Sequence, residues 1–289
     1  MSAISPPVTK LTSTTFNDLL LQQSLFSSME VALDLSKVEF VSPGALVPLA
    51  AICYALQQKG CKVAVKLSDN DVRSYLWRSG FASVIQDIVS FQPGITKAQS
   101  TLFEALRGTN PLLIEVTKIE SGAALPTLLS QIVDVLRFRM KYKKYDAFDI
   151  ATAISEVCQN TFDHNEQTCG FIAMQMYKRS SERFIEIAIA DYGAGLKTTL
   201  QQNPKNPEIN TDFDAIEIAT QLGTSQFDDP TRGTGLHHLL EIAYKHEGTV
   251  EFWSGSAKVR FRMDQRKGWK FQCVAIPGVT VNCSLRSKK

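Results

Sequence analysis

The segment "ISEVCQNTFDHN", residues 154–165, spaces Glu156, Asn160 and His164 four residues apart. On a helix, steps of four advance only ~40° around the axis, so a carboxylate, an amide and an imidazole form a ladder on one face. Asp163 falls at the edge of that face, and Ile154, Val157 and Phe162 make an apolar stripe opposite. Such a ladder can line a polar pocket or meet solvent, and this stretch alone leaves both open. Two glycine turns follow. "DYGAGL" (191–196) puts Asp191 at the end of an apolar run, with Gly193 and Gly195 letting the backbone approach a ligand closely. Capping of the following turn is the alternative role for Asp191. "TRGTGLHHL" (231–239) opens a helical pattern, so Gly233 and Gly235 leave backbone N–H groups at a helix N-terminus, suited to phosphate oxygens. Neither turn matches the Gly-x-x-x-x-Gly-Lys-Ser/Thr or the G-x-G-x-x-G frame.

The elements that must position these residues are readable from periodicity. In the second half, "PLLIEVTKI" (111–119) predicts a strand, residues 124–141 an amphipathic helix and 147–164 the ladder helix. Alternating strands follow at 170–180 and 183–191, then a polar loop from 192 to 214. Helices are expected at 214–222 and 235–246, and four strands close the chain at 248–255, 257–264, 269–276 and 279–286. This order predicts an α+β sandwich, a mixed, largely antiparallel sheet with helices on one face. The first half reads as a helix at 16–26, a strand at 30–42, a helix ending at Gly60, a strand at 61–68 and a short helix capped by Asp69 or Asn70. That is a small α/β domain, and "QPGITKAQS" (92–100) reads as the linker. At 289 residues, two domains are expected, 1–100 and 101–289.

Bulk properties bound the function. Apolar residues make up 44%, charged residues 21%, and the net charge is +2, so no general affinity for polyanions follows. The basic cluster "RFRMKYKKY" (137–145) reads as a solvated helix end rather than a nucleic-acid contact. The run "ALVPLAAICYAL" (45–56) is too short to span a membrane, and no signal peptide is visible. Six cysteines without a C-x-x-C pair read as buried reduced thiols, and a cytoplasmic location is expected. Four histidines without ligand spacing argue against zinc, and His237 and His238 read as surface or packing residues.

The order of the motifs carries more than any one of them. A ladder with Glu156 and Asn160, then D-x-G-x-G, then a variable loop, then G-x-G-L opening a helix, resembles the GHKL superfamily of ATPases across residues 110–289. The resemblance implies ATP and magnesium as cofactors. It implies that Asn160 coordinates the magnesium, that Glu156 orients or deprotonates the attacking water, and that Asp191 accepts from the adenine amino group over Gly193. Gly195 completes that turn. Gly233, Thr234, Gly235 and Leu236 would hold the phosphates, with Thr224 and Ser225 in the lid (223–236) and Asp163 and His164 lining the wall. One departure concerns the last strand, where Gly-Thr is usual: Val279 follows Gly278, and Thr280 comes one residue later.

The first half resembles the STAS fold of anti-sigma-factor antagonists, through "VALDLSKVEFVSPGALVPL", "KGCKVAVKL" and "VRSYLWRSGFASVI". Gly44 occupies the position of the family's phosphoacceptor serine, so the module reads as a docking or sensing unit. Together the two resemblances imply a regulator of the anti-sigma-factor-kinase type, an ATPase or serine kinase signalling through its STAS-like module or a protein partner. The rival is a non-catalytic ATP-dependent interaction switch. No histidine precedes His164 on a dimerising helix, which argues against a sensor histidine kinase. No membrane or nucleic-acid partner is expected, and the oligomeric state stays open, a homodimer included.

Overall fold

The computed structural model describes residues 2–4, 9–21, 29–68, 71–110, 112–163, 169–179, 182–206, 208–221, 234–262 and 267–287. Its first elements are β1 (Ser2–Ile4), β2 (Lys10–Leu11), α1 (Phe16–Leu21), β3 (Glu30–Asp34), β4 (Phe40–Val41), α2 (Pro43–Gln58), β5 (Lys62–Lys66), α3 (Asp71–Arg78), α4 (Phe81–Ile85) and β6 (Val89–Gln92). Strands β1, β3, β5 and β6 form a parallel sheet in that order, and β2 pairs with β4. Parallel neighbours need crossovers, and α2 and the α3–α4 pair supply them. The single strand expected over 30–42 is two. Asp34 ends the first by accepting the Ser36 N–H at 2.9 Å, an Asx turn. The expected cap at Asp69 or Asn70 lies outside the described residues. The expected linker is partly helical: Thr96 and Gln99 form a capping box that starts α5 (Lys97–Leu106) inside it.

The second half continues with β7 (Leu113–Ile119), α6 (Leu125–Asp134), a π turn at Val135–Arg139, α7 (Lys144–Asp163), β8 (Gly170–Arg179), β9 (Glu182–Asp191), α8 (Gly195–Leu200), α9 (Asp212–Ala219), α10 (Gly235–Lys245), β10 (Thr249–Arg262) and β11 (Lys267–Arg286). Five strands form an antiparallel sheet in the order β10-β11-β9-β8-β7. The four closing strands expected from the sequence merge into two long ones. The interruptions that suggested four are irregularities in pairing, at Ser254–Ala257 on β10 and opposite them between Ile276 and Val279 on β11. The expected polar loop after Asp191 contains α8.

Period-two alternation sorts β9 into two faces. Ile185, Ile187 and Ile189 join Val281, Cys283 and Leu285 of β11 in a core roofed by α6, α7, α9 and α10. Ala188 and Ala190 face the other way, with Phe171, Ala173 and Trp253, into a second core shared with α1, α2, β3 and β5. The helices α6, α7, α9 and α10 of the second half therefore share one face, as expected, and the other face is not left to solvent. Helix α2 covers the second face, and small alanines there let it approach. This explains its sequence: Pro43 to Leu56 is buried almost without interruption, since a helix between two sheets has no solvent side. Among the described residues no helix is long and apolar enough to cross a membrane.

Candidate functional site

Helix α7 docks through Ile150, Ala153, Ile154, Val157 and Cys158, all 3% exposed or less. Burial pushes the Cys158 thiol up, so it packs as a small apolar group. The polar ladder turns from this stripe toward α10. Glu156 is half-buried and Asn160, one turn later, is exposed. Thr234 Oγ1 donates to Glu156 Oε2 at 2.9 Å. Gly235 lies so close that a Cβ on it would come within 2.9 Å of Glu156 Cβ. The structure thus joins two motifs 78 positions apart in sequence. Thr234 stands at the N-cap of α10 but its side chain makes no capping bond, and its hydroxyl is turned to donate to Glu156. The first N–H groups of α10 keep their partial positive charge beside that carboxylate, a setting that favours an anion.

His238, one turn into α10, faces the same wall. Its Nε2 lies 2.9 Å from Asp149 Oδ1 and its Nδ1 3.9 Å from Glu156 Oε1. Lys245 continues the line, 3.4 Å from Asp149 and 2.6 Å from Asp146. His238 and Asp149 are functional candidates that reading by motif missed. The signal was present: Asp149 precedes Glu156 by seven residues, two turns on the same helical face. What could not be read was that α10 would bring an imidazole between them. His237 points elsewhere, with Nδ1 3.1 Å from the Thr220 carbonyl.

Asp191 ends β9 and pairs with Gly170, over which Thr161 of α7 packs directly. This sets the D-x-G-x-G turn beside the last turns of the ladder helix. The Asp191 carboxylate accepts the Gly193 N–H at 2.8 Å and the Val279 N–H. Burial pushes its pKa up to about 7 against the pull of those two amides. The turn-capping role left open by the sequence is present, yet two amides fill only half of a carboxylate's roughly four lone-pair directions. Further bonds fix the turn: Gly278 N–H to Gly193 O at 2.8 Å, and Leu196 N–H to Ser254 Oγ at 2.9 Å. Gly278 has φ +69°, and a Cβ there would lie 2.3 Å from Asp191 O, so only glycine closes this corner.

Thr280 is not brought to this site. Strand alternation puts it on the other face, beside Phe16, Pro48 and Trp253, while Val279 faces the helices. The side chain of Asp163, and His164, Thr224, Ser225 and Gly233 entirely, lie outside the described residues, as does most of the expected lid. Among the described residues no group of three or more His, Cys, Asp or Glu side chains could hold a metal ion. No protein-family model matches the chain, and comparison with curated proteins gives no match.

Proposed function

We propose that this chain is an ATP-binding regulator, a GHKL domain of the anti-sigma-factor-kinase type with a Bergerat-like sandwich, fused to a degenerate STAS-like module. The observation that carries this reading is the contact of Glu156 with Thr234 and Gly235, which sets a carboxylate beside uncapped helix-N-terminal amides. Those amides suit the phosphates, and Asn160 offers an amide oxygen that would suit a hard magnesium ion. Asp191 has lone pairs left for an adenine amino group. Magnesium bound there would supply charge neutralisation for the phosphates. Glu156 would orient the attacking water, and Gly235 and Leu236 would keep the phosphate oxygens on the α10 amides.

One contact favours the non-catalytic switch as a second reading: Thr234 donates to Glu156 Oε2, which occupies one of the two carboxylate oxygens a water would need. Calorimetry with Mg-ATP, joined to incubation with gamma-labelled ATP read for free phosphate and for labelled protein, separates the two. Asp191→Asn is expected to weaken ATP binding about tenfold or more, from a lost charged hydrogen bond of ~1.5–3 kcal/mol. Glu156→Gln should bind ATP within a fewfold of wild type while turnover falls by about two orders of magnitude. Unchanged affinity in Asp191→Asn would remove the pocket. Tight binding without turnover in the wild type would leave the switch.

A further inference from the structure

The line Lys245–Asp149–His238–Glu156 joins Glu156 of the ladder to three groups on α7 and α10 to which the motifs assign no role. Asp149 Oδ1 lies 2.9 Å from His238 Nε2. An ionised carboxylate only accepts, so Nε2 carries the proton of that hydrogen bond. A neutral ring then leaves Nδ1 unprotonated, and Nδ1 is the atom that faces Glu156 Oε1 at 3.9 Å. Lys245, 2.6 Å from Asp146 and 3.4 Å from Asp149, places a cation beside Asp149. The second oxygen of Glu156 accepts from Thr234. Both donors to this wall, Thr234 and His238, are on α10 one turn apart, and both acceptors, Asp149 and Glu156, are on α7 two turns apart. Thr234 thus donates to one oxygen of Glu156, and the unprotonated Nδ1 of His238 faces the other without a hydrogen bond.

We propose that His238 is the positioning residue for Glu156, held by Asp149 in the tautomer whose Nδ1 can take a proton from the Glu156 carboxyl group. The role rests on the ATP-binding reading above. In the step it serves, the O–H bond of water breaks and its proton passes to Glu156. The water oxygen bonds to the terminal phosphorus as the bond from that phosphorus to the bridging oxygen breaks, its electron pair leaving on ADP. The proton on Glu156 then passes to Nδ1 as the two groups close from 3.9 Å to hydrogen-bond distance, and the partly exposed imidazolium, paired with Asp149, releases it to solvent, which restores a neutral ring and a free carboxylate for the next turnover. A second consequence is mechanical. The ring belongs to the helix that opens at the phosphate-binding turn, so displacement of α10 moves the proton acceptor and the phosphate amides together.

Two measurements test this on the full-length protein. Nitrogen NMR of ¹⁵N-histidine-labelled wild type, without nucleotide, should find His238 in the Nε2-protonated tautomer, and Asp149→Asn should abolish that preference. Steady-state kinetics and calorimetry with Mg-ATP should find His238→Gln within about threefold of wild type in ATP affinity and KM, with kcat lower by about 10²-fold. Its amide can still donate to Asp149 but offers nothing at the Nδ1 position. His237→Asn, on the ring that meets Thr220, should change neither quantity. An Nδ1-protonated or doubly protonated ring in the wild type would overturn the proposal, as would a wild-type kcat no greater than that of His238→Gln. Wild type that binds no ATP would overturn the functional reading itself, and this role with it.

Discussion

Glu186 is a carboxylate enclosed at the junction of the two halves of the chain. Its Oε1 accepts the Ser42 hydroxyl at 2.9 Å and the Gly44 N–H at 3.1 Å, at the start of α2. Asn282, with its amide nitrogen turned inward, adds a donor at 3.3 Å. Burial nevertheless dominates and pushes the Glu186 pKa from 4.5 to about 7, with the Glu251 charge adding to the rise and the donors opposing it. Asp191 rises from 3.8 to about 7 for the same main reason. A raised carboxylate pKa means that the folded chain holds protons the unfolded chain has released. Between about pH 7 and pH 5 these two groups therefore make stability increase as pH falls. Asp34 and Asp214, whose pKa values are lowered, act in the opposite sense but only below their ordinary 3.8, outside that window. Thermal midpoints measured from pH 5 to 8 should decline with rising pH, and Glu186→Gln should flatten the decline. A midpoint that climbs steadily from pH 5 to 7 would contradict this account.

Helix α2 begins where that carboxylate ends. Its first turn holds Ser42 as N-cap, Pro43 and Gly44, and the Glu186 charge lies against the positive end of the helix. A Cβ at position 44 would come within 2.4 Å of Glu186 Oε1 and 2.9 Å of the Asn282 side-chain amide. The glycine at the would-be phosphoacceptor position is thus required by packing between the two halves. In an isolated helix, alanine would be favoured over glycine by roughly 1 kcal/mol. Here Gly44→Ala should instead destabilise by about 1–3 kcal/mol, because a closely packed junction cannot admit the methyl group. Urea denaturation of the variant decides the sign, and a stabilised protein would show that the α2 turn is free of the sheet.

Across the whole molecule, α2 belongs to one apolar core with both sheets. Leu49, fully buried, lies in the same cluster as Val63 and Val65 of the parallel sheet and Ala188 and Ala190 of the antiparallel one. Polar ties cross the same junction, including Lys258 Nζ to Ser13 O at 2.7 Å and Val274 N–H to Asn17 Oδ1 at 2.9 Å. The halves should therefore unfold together. Far-ultraviolet circular dichroism and tryptophan fluorescence, reporting Trp77 in the first half and Trp253 in the second, are expected to give one coincident transition. Leu49→Ala should lower its free energy by about 2–5 kcal/mol without splitting it. Two resolved transitions in the wild type would refute the shared core.

Local periodicity determined much of this protein before any fold was in view. The alternation of Ile185, Ile187 and Ile189 with Ala188 and Ala190 marked β9, and the steps of four from Glu156 to Asn160 marked one face of α7. The turns at Asp191 and Gly235 were visible because glycine and aspartate leave strong local signatures. Periodicity states which residues share a face, and it is silent on what covers that face. The alanine face of β9 reads equally well as solvent-facing until α2 is laid on it. The run 183–191 that contains Glu186 does not show that the start of α2 closes over it, and the spacing of Thr280 from Gly278 does not show that strand alternation turns it away from Asp191. His238 meets Asp149 and Glu156 only because α10 crosses α7 there. Those pairings span some 80 residues or more of chain, so they follow from packing, which no short window of sequence contains.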